Sequence, residues 1–378
     1  MVLQPSPFCN INCDYCYLPD RTLTHRMSSE TLARTVQEIF ASDLISEQVT
    51  FVWHAGEPLA VPIAWYEEAL DLIARSAPPQ IKIIHSFQSN GTLINERWCE
   101  FIKSRGIYMG LSIDGPEHIH DAHRKTRGGK GSHAQAMRGA VLLQQHDIDF
   151  HVIAVVTRDS LGHADEVFDF FENSGFPFIG FNVEELEGAN TTSTLDSGAD
   201  EKISEFFHRI FARQKSSGGR IRVREFDSAL QRILANGKPD ADKFVYANEQ
   251  VRPFGILNVD WQGNFSTFSP ELLGFNAPEY GEFSFGSVHT SAFQDSIQTP
   301  KFQKVLADIQ AGVEKCRSEC AYFELCGGGA PANKYFENGG FASSETSYCR
   351  SVIKLPINIV MHDLEKSLNL PQPATVSE

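Results

Sequence analysis

The chain has 378 residues, which is enough for one large α/β barrel plus a smaller module, or for two ordinary domains. It carries 33 Lys plus Arg against 48 Asp plus Glu, and the net charge of −15 argues against binding to nucleic acid or to an anionic membrane. No apolar run is long enough to span a membrane, and the N-terminus lacks the layout of a signal peptide. We therefore expect a soluble, cytoplasmic protein.

Short apolar or β-branched runs alternate with helical periodicity as far as about residue 215, which is typical of repeated βα units and a parallel sheet. The six predicted strands cover 2–6, 49–54, 81–88, 107–114, 150–157 and 178–184. Leu32, Val36 and Ile39 form the apolar stripe of the first predicted helix, with Ser28 as its cap. In parallel α/β barrels the chemistry sits at the C-terminal ends of the strands, so we expect the functional residues there.

The segments after the sixth strand predict a change of organisation. The polar stretch 188–200 would overhang the barrel mouth, either as a substrate-binding lid or as an ordinary surface loop. The sequence SSGGR at 216–220 predicts a flexible break. We therefore expect a barrel over 1–215, a helical bridge over 216–250, a C-terminal module over 251–365 and a disordered tail over 366–378.

Seven of the eight cysteines fall into two groups, which points to metal binding, while Cys99 lies alone in a helical pattern and is expected to be buried. The first group is Cys9, Cys13 and Cys16. A [4Fe–4S] cluster takes four ligands, so three thiolates leave one iron open for the amino and carboxylate groups of S-adenosylmethionine. One electron would then cleave that molecule to a 5′-deoxyadenosyl radical. Zinc is the alternative, but structural zinc takes four Cys or His ligands and this loop contains no His.

The sequence CNINCDYC resembles the signature of the radical SAM superfamily, with an aromatic residue before the last cysteine. The resemblance implies contacts to S-adenosylmethionine at successive strand ends. Gly56 and Glu57 in HAGEP match the GGE-like motif that receives the ammonium group. The other cofactor-binding residues that the resemblance implies are Tyr15, Gln88, Asn90, Ser112, Asp114, Arg124 and Asn182. Taken singly, each polar residue could also be an ordinary turn or cap.

The second cysteine group is a complete set of four thiolates, which fits either an iron–sulfur cluster or structural zinc. Its members are Cys316, Cys320, Cys326 and Cys349. The segment resembles the SPASM/twitch extension of radical SAM peptide maturases, which implies an auxiliary [4Fe–4S] cluster used for electron transfer or structural clamping. Within the same segment, NGG at 338–340 predicts a hairpin-type turn.

The match to that extension is incomplete. Full SPASM domains hold a second auxiliary cluster, but here NVDWQGNFSTFSPEL contains no cysteine and Ala330 replaces another ligand. We therefore predict one auxiliary cluster. The same segment lacks the Asp expected in sulfatase-maturating enzymes, which argues against that activity.

Four segments together resemble cyclophane-forming radical SAM/SPASM maturases of the Grr type, whose precursors are rich in Gly and Arg. They are CNINCDYCYLPDR, FNVEELEG, FSPELLG and GGGAPANKYFENGGFASSETSYCR. The resemblance implies that a β-hydrogen is abstracted from a ribosomally made precursor peptide and that a C–C bond forms to an aromatic ring. It also implies an external electron donor such as flavodoxin or ferredoxin.

Three carboxylates are candidate catalytic residues: Glu184, Glu185 and Glu271. They would bind a substrate arginine or accept a ring proton, and a solvated rim is the alternative. A thioether-forming peptide maturase and a non-catalytic redox protein with two clusters are the competing functional interpretations.

Overall fold

The computed structural model describes residues 1–195, 198–236 and 246–369. Most strands of these residues are short. They are β1 (Val2–Leu3), β2 (Ile11–Cys13), β3 (Gln48–Trp53), β4 (Lys82–Ser89), β5 (Tyr108–Ser112), β6 (Arg124–Thr126), β7 (Phe150–Val156), β8 (Phe178–Val183), β9 (Arg222–Val223), β10 (Leu257–Val259), β11 (Asn264–Thr267), β12 (Asn276–Ala277), β13 (Gly281–Glu282) and β14 (Gly286–Ser287).

Helices follow most of these strands. They are α1 (Ser29–Ala41), α2 (Ile63–Ser76), α3 (Glu96–Arg105), α4 (Glu117–His123), α5 (His133–Gln145), α6 (Arg158–Leu161), α7 (Ala164–Asn173), α8 (Asp200–Ser216), α9 (Arg224–Asn236), α10 (Phe293–Ser296), α11 (Pro300–Glu319), α12 (Phe323–Cys326), α13 (Pro331–Asn338) and α14 (Leu355–Ser367). Short 3-10 helices cover Pro58–Ala60, Glu249–Val251 and Pro270–Leu272, and a π-helix covers Cys349–Lys354. Within the described ranges no helix is both long and apolar enough to cross a bilayer.

The central sheet has ten strands in the order β14-β11-β10-β1-β3-β4-β5-β7-β8-β9. The strands from β1 to β8 within it correspond to the six predicted strands, and each pairs in parallel with its neighbour. The predicted α/β class with a partial (βα)6 barrel is therefore confirmed. The first strand is shorter than predicted, ending at Leu3 instead of residue 6.

Helix α1 shows how the local sequence fixes an element. The Ser28 hydroxyl accepts a hydrogen bond from the backbone N–H of Thr31, which caps the helix as predicted. Leu32, Val36 and Ile39 lie on one face and are all buried. Their spacing of three and four residues directs that face onto the sheet.

The segment predicted as a flexible break and helical bridge contains a seventh parallel strand. SSGGR lies at the end of α8 and in the turn that follows, and β9 then pairs with β8 through Phe178 and Arg222. The remainder of the bridge includes α9 as expected, but 237–245 lie outside the described residues. Of the predicted disordered tail, 370–378 also lie outside them, while α14 extends to Ser367.

The C-terminal region contacts both edges of the barrel sheet. Strand β10 pairs in parallel with β1, Val2 opposite Asn258 and Leu3 opposite Val259, and β11 and β14 follow in antiparallel order. At the other edge α14 packs against α9 and α8, and the π-helix contacts β8. The region therefore covers the barrel mouth from both sides. The predicted domain boundaries stay predictions.

The predicted hairpin turn at NGG is wrong. Asn338 is the last residue of α13, and Gly339 follows in the left-handed conformation with φ of 75°. Its N–H donates to the carbonyl of Tyr335 at 2.9 Å, which closes the helix C-terminus.

Candidate active site

The loop after β1 carries the first cysteine group. Strand β2 within it pairs antiparallel with β6, which places Cys13 opposite Arg124. The Cys9 N–H donates to the carbonyl of Arg21 at 3.1 Å, and the Arg127 guanidinium donates to the Cys9 carbonyl at 2.8 Å. Burial raises the pKa of the Cys9 thiol to about 12 and that of Cys13 to about 11, so in the free protein both thiols are protonated. Metal binding would have to displace those protons.

A buried ion pair connects this loop to the barrel. Two nitrogens of Arg124 donate to the carboxylate of Asp114, at 2.9 and 3.0 Å, and Tyr15 donates its hydroxyl to the same carboxylate. A further Arg124 nitrogen lies 3.8 Å from Cys13 Sγ. Burial acts to raise the pKa of Asp114, but the adjacent guanidinium outweighs it and holds the pKa below its usual value. Asp114 is therefore a carboxylate that orients Arg124 beside Cys13.

Gly56 allows a close approach between two strand-end loops. Its φ is 130°, and a Cβ atom there would lie 2.3 Å from the carbonyl oxygen of Ser6. The next N–H, that of Glu57, donates to the carbonyl of Phe8 at 2.7 Å. Only glycine fits this position, which keeps the HAGEP turn in contact with the start of the cysteine loop.

We expect Gly56→Ala to lower both the melting temperature and the iron bound per chain, because the new Cβ must push the cysteine loop away. Thermal melting followed by circular dichroism, together with iron analysis, measures the two effects. Gly162→Ala is the matched control, since Gly162 has an ordinary φ of −80° and a methyl group at this position would meet no atom within 4 Å. Equal behaviour of the two variants would contradict this account.

The carboxylate of Glu57 is held by groups at the end of β4. It accepts hydrogen bonds from the Leu59 N–H at 2.9 Å, the Ser89 hydroxyl at 2.8 Å and the Asn90 N–H at 2.9 Å. Burial raises its pKa to about 7. The Asn90 amide in turn lies 3.8 Å from Cys9 Sγ. Glu57 therefore ties the end of β4 to the cysteine loop, and its contact with the cofactor ammonium stays a prediction.

A cavity of about 530 Å³ opens at the C-terminal ends of the strands. Cys13 and Cys16 line one end of it, and Tyr348 and Ile353 from the C-terminal region line the other. The predicted site residues on its wall are Tyr15, Gln88, Ser112, Arg124, Asn182, Glu184, Glu185 and Glu271. The predicted residues that do not line it are Cys9, Gly56, Glu57, Asn90 and Asp114. The structure thus gathers most of the predicted barrel site around one space.

One wall of this cavity holds a cluster of carboxyl groups. Glu185 accepts a hydrogen bond from the Asn333 amide at 2.7 Å and shares a hydrogen bond with Glu187. Burial raises the pKa of Glu185, Glu187 and Glu271, that of Glu271 to about 7. Repulsion from Glu185 adds to the effect at Glu187 and Glu271. The buried Ser269 hydroxyl lines the same wall without a hydrogen-bond partner in the described structure. Glu271 can therefore hold a proton near neutral pH.

Glu184 differs from the other two candidate catalytic residues. Its carboxylate accepts hydrogen bonds from the N–H and the hydroxyl of Thr194, so it is occupied by the loop that follows β8. That loop is also fixed to the cysteine loop by the Ala189 N–H, which donates to the Tyr17 carbonyl at 2.8 Å. Residues 196–197 of the predicted lid lie outside the described residues, and the lid role stays a prediction.

Glu187 and Arg224 are among the cavity residues that sequence reasoning missed. Glu187 lies in the quoted segment FNVEELEG, two positions from Glu185, and the period of two along an extended chain was a usable signal. Arg224 lies after β9, in the segment predicted as a bridge, and donates to the Asn182 side chain at 2.7 Å. No local pattern marked Arg224, because its position depends on the pairing of β9 with β8.

The second cysteine group surrounds a separate cavity of about 210 Å³, which all four of its cysteines line. Hydrogen-bond donors point at three of the sulfurs. The Gly329 N–H lies 3.3 Å from Cys326 Sγ, the Thr346 hydroxyl 3.2 Å from Cys349 Sγ, and the Lys334 ammonium 3.2 Å from Cys316 Sγ. Ile353 lines both this cavity and the larger one, so the two spaces share a wall residue.

The spacing of the sulfurs favours clusters over single zinc ions. Within the described ranges, only His118, His163 and Glu166 bring three metal-ligating atoms within 4.8 Å of one another. Tetrahedral zinc with Zn–S bonds of about 2.3 Å would hold its sulfurs roughly 3.8 Å apart. In a four-iron cluster each cysteine binds a different iron, so the sulfurs lie further apart. Both cysteine groups therefore have the donor set that such clusters require, and the second also has a cavity that all four sulfurs line.

Comparison with known sequences agrees with the site. The family model described as the Radical SAM superfamily matches residues 3–186. The uncharacterized protein sll1766 of Synechocystis sp. is 45% identical over 375 residues, which are 98% of this chain and 93% of that protein. The serine-type anaerobic sulfatase-maturating enzyme of Klebsiella aerogenes is 36% identical over 203 residues, which are 53% of this chain and 50% of the enzyme. That second match spans about half of either chain.

Solved structures share the fold at low sequence identity. The structure of native anSMEcpe with bound AdoMet has a TM-score of 0.77 and 23% identity, covering 97% of this chain and 98% of that chain. Streptococcus suis SuiB bound to the precursor peptide SuiA has a TM-score of 0.65 and 16% identity, covering 92% of this chain and 75% of that chain. The similarity extends beyond the barrel into the C-terminal region. From the sequence matches and the three-cysteine loop after β1, we conclude that the chain belongs to the radical SAM superfamily.

Proposed function

We propose that this radical SAM enzyme acts on a ribosomally made precursor peptide and forms a C–C crosslink, a cyclophane, between a β-carbon and an aromatic ring. The observation that carries the proposal is the acidic cavity between the two cysteine groups. Cys13 and Cys16 line one end of it, and Ile353 at the other end borders the second cysteine cavity. The four segments that resemble Grr-type maturases support the same activity.

Membership of the superfamily implies a [4Fe–4S] cluster and S-adenosylmethionine, which together supply a 5′-deoxyadenosyl radical when bound. Cys9, Cys13 and Cys16 would hold the cluster. Arg124, aligned by Asp114, lies beside Cys13 and would bind a carboxylate of the cofactor. An external reductant such as flavodoxin or ferredoxin would supply the electron that starts the reaction.

When the crosslink forms, the peptide loses two hydrogen atoms. Each of them needs an acceptor. The β-carbon would give up one as a hydrogen atom to the 5′-deoxyadenosyl radical, and the resulting carbon radical would bond to the ring. The ring then loses a proton and an electron. Within the carboxyl cluster of Glu185, Glu187 and Glu271, Glu271 would accept the proton, since its pKa of about 7 suits exchange near neutral pH. An auxiliary [4Fe–4S] cluster on the second cysteine group would accept the electron.

The charge of the chain also supports a cationic peptide. The net charge is −15, and negative potential attracts and orients positive partners. A precursor rich in Gly and Arg, with aromatic residues for the crosslink, would meet this requirement.

We expect Glu271→Gln to lower the yield of crosslinked peptide by about 10²–10⁴-fold while 5′-deoxyadenosine still forms, because proton transfer fails after the radical is made. Liquid chromatography with mass spectrometry measures both products in one reaction. Glu314→Gln, on the exposed face of α11, is the control and should retain both. Equal loss of both products in Glu271→Gln would show that Glu271 acts before hydrogen abstraction instead.

The direct test of the function uses anaerobically reconstituted protein, a reductant and S-adenosylmethionine. We expect about eight iron atoms per chain from two four-iron clusters, and twelve would contradict a single auxiliary cluster. Co-expression with a Gly/Arg-rich precursor should give a peptide that has lost two hydrogens per crosslink, with the bond located by tandem mass spectrometry. Detection of a thioether at a cysteine of the peptide would contradict the cyclophane assignment and indicate a thioether-forming maturase. Failure to form 5′-deoxyadenosine would rule out radical chemistry.

Sulfatase maturation is the second candidate, because the sulfatase-maturating enzyme of Bacteroides thetaiotaomicron is 25% identical over 358 residues. The segment NVDWQGNFSTFSPEL lacks the Asp expected for this activity, but it places Glu271 on the cavity wall. Incubation with a serine- or cysteine-containing sulfatase peptide distinguishes the two functions. Modification of that peptide, with none of the Gly/Arg-rich precursor, would favour this candidate.

A further inference from the structure

Lys334 is a buried lysine at the second cysteine cavity. It lies on α13, and only 2% of it is exposed. Its ammonium donates to the carbonyl of Gly312 at 2.9 Å and lies 3.2 Å from Cys316 Sγ. A Cβ atom on Gly312 would come within 3.2 Å of the same ammonium. The helices α11 and α13 therefore pack closely, and the absence of a side chain at Gly312 leaves the space in which the Lys334 ammonium reaches the Cys316 sulfur.

A buried ammonium ion is costly unless an anion neutralises it. In the described structure no carboxylate lies within salt-bridge distance of Lys334, and its hydrogen-bond partners are the Gly312 carbonyl and the Cys316 sulfur. The anion must therefore come from the cysteine group. A set of four thiolates around iron is an anionic site, and it meets this requirement.

A second lysine at the same cavity is arranged differently. Lys354 lines the cavity, but its ammonium lies 2.7 Å from the carboxylate of Glu345, and a quarter of its side chain is exposed. Its charge is thus already paired and partly screened by water. Lys334 is the lysine whose charge acts on the sulfurs without a competing carboxylate.

We propose that Lys334 is the fixed counter-charge of the auxiliary cluster and raises its reduction potential, so that the cluster accepts the electron released by the peptide. This inference rests on the proposed auxiliary cluster. An added electron makes the site more negative, and a nearby cation that donates a hydrogen bond to sulfur stabilises the reduced form more than the oxidised one. In this step one electron passes from the peptide radical to the auxiliary iron–sulfur cluster, and the accompanying proton passes to the carboxyl cluster of Glu185, Glu187 and Glu271. The position of Lys334 thus indicates that the auxiliary cluster transfers electrons and does not only hold the fold together.

The test isolates the auxiliary cluster. In the full chain with Cys9, Cys13 and Cys16 all changed to alanine, the iron signal that remains belongs to the second cysteine group. A redox titration followed by electron paramagnetic resonance gives its midpoint potential without any turnover. In this background we expect Lys334→Met to shift the potential in the negative direction and Lys334→Arg to keep it near the parent value. Lys354→Met should shift it less than Lys334→Met.

An unchanged potential in Lys334→Met at full iron content would overturn the role of Lys334 and leave the auxiliary cluster standing. Absence of any iron–sulfur signal in the triple-alanine parent would instead remove the auxiliary cluster and this inference with it. If Lys334→Met binds no iron, the iron contents of Lys334→Gln and Lys334→Arg decide between a counter-charge and a packing role. Iron retained only in the arginine variant supports the counter-charge, whereas iron lost equally in both indicates a packing role and overturns it.

Discussion

Replacing Cys13 with alanine is expected to abolish formation of 5′-deoxyadenosine and to lower the iron content from about eight to about four atoms per chain. Two thiolates cannot retain a four-iron cluster that needs three protein ligands, while the second cysteine group is untouched. Iron analysis of anaerobically reconstituted protein and chromatography of the S-adenosylmethionine products measure the two effects. Full iron content together with continued cleavage of S-adenosylmethionine would show that the radical is generated elsewhere.

The matched control for this experiment is Cys99→Ala. Cys99 is fully buried in α3, as its helical pattern predicted, and lies outside both cysteine groups. Its loss removes one small apolar group from the core, so some stability is lost but both iron content and product formation should remain. A comparable fall in iron on replacing Cys99 would indicate that loss of a thiol disturbs the fold in general.

Replacing Arg124 with leucine is expected to destabilise the protein by about 3–5 kcal/mol, because it leaves the Asp114 carboxylate buried without its cation. The side chains of Arg124 and Asp114 are only 8% and 2% exposed, so water cannot compensate. Urea unfolding followed by circular dichroism gives the difference in free energy. Arg105→Leu is the control, since Arg105 and Asp71 form an exposed pair whose loss should cost below about 1 kcal/mol.

The pH dependence provides a check with a definite sign. In the parent protein the pKa of Asp114 is lowered, so the pair stabilises the fold above the unfolded pKa of about 4, and this stabilisation is lost as the pH falls below it. In Arg124→Leu the burial of Asp114 loses its main opposing charge, with only weaker contacts such as the Tyr15 hydroxyl left, and would raise the pKa of Asp114, so lowering the pH should relieve part of the destabilisation. A variant whose deficit is the same at pH 7 and pH 5 would contradict the buried-charge explanation.

Local patterns in the sequence predicted the barrel and most of its site. Apolar runs indicated the six parallel strands, and polar residues after them, such as Gln88, Ser112 and Glu185, line one cavity because parallel strands end at one edge. Strand β9 was not predictable, since two residues carry no periodicity. The NGG turn was misread because Asn-Gly favours the left-handed conformation both in hairpins and at helix ends.

The remaining differences come from contacts between distant parts of the chain. Lys334 lies in a helical segment where composition alone places a lysine in water, and its burial depends on α11 and on the cysteine cavity. The direction of Glu57 depends in the same way on Ser89 and Asn90 at the end of the next strand. Sequence spacing indicates which residue types gather at a site, whereas the orientation of each side chain depends on packing that spacing does not record.

The pairing of β1 with β10 has a consequence for how the protein is made. Val2 and Leu3 are synthesised long before their partners Asn258 and Val259, from which the barrel separates them in the chain. Until then one side of β1 is an open sheet edge, directly before the loop that carries Cys9. The native edge next to this cysteine loop is therefore completed late in translation, and until that point the nascent barrel exposes an unpaired edge that favours aggregation.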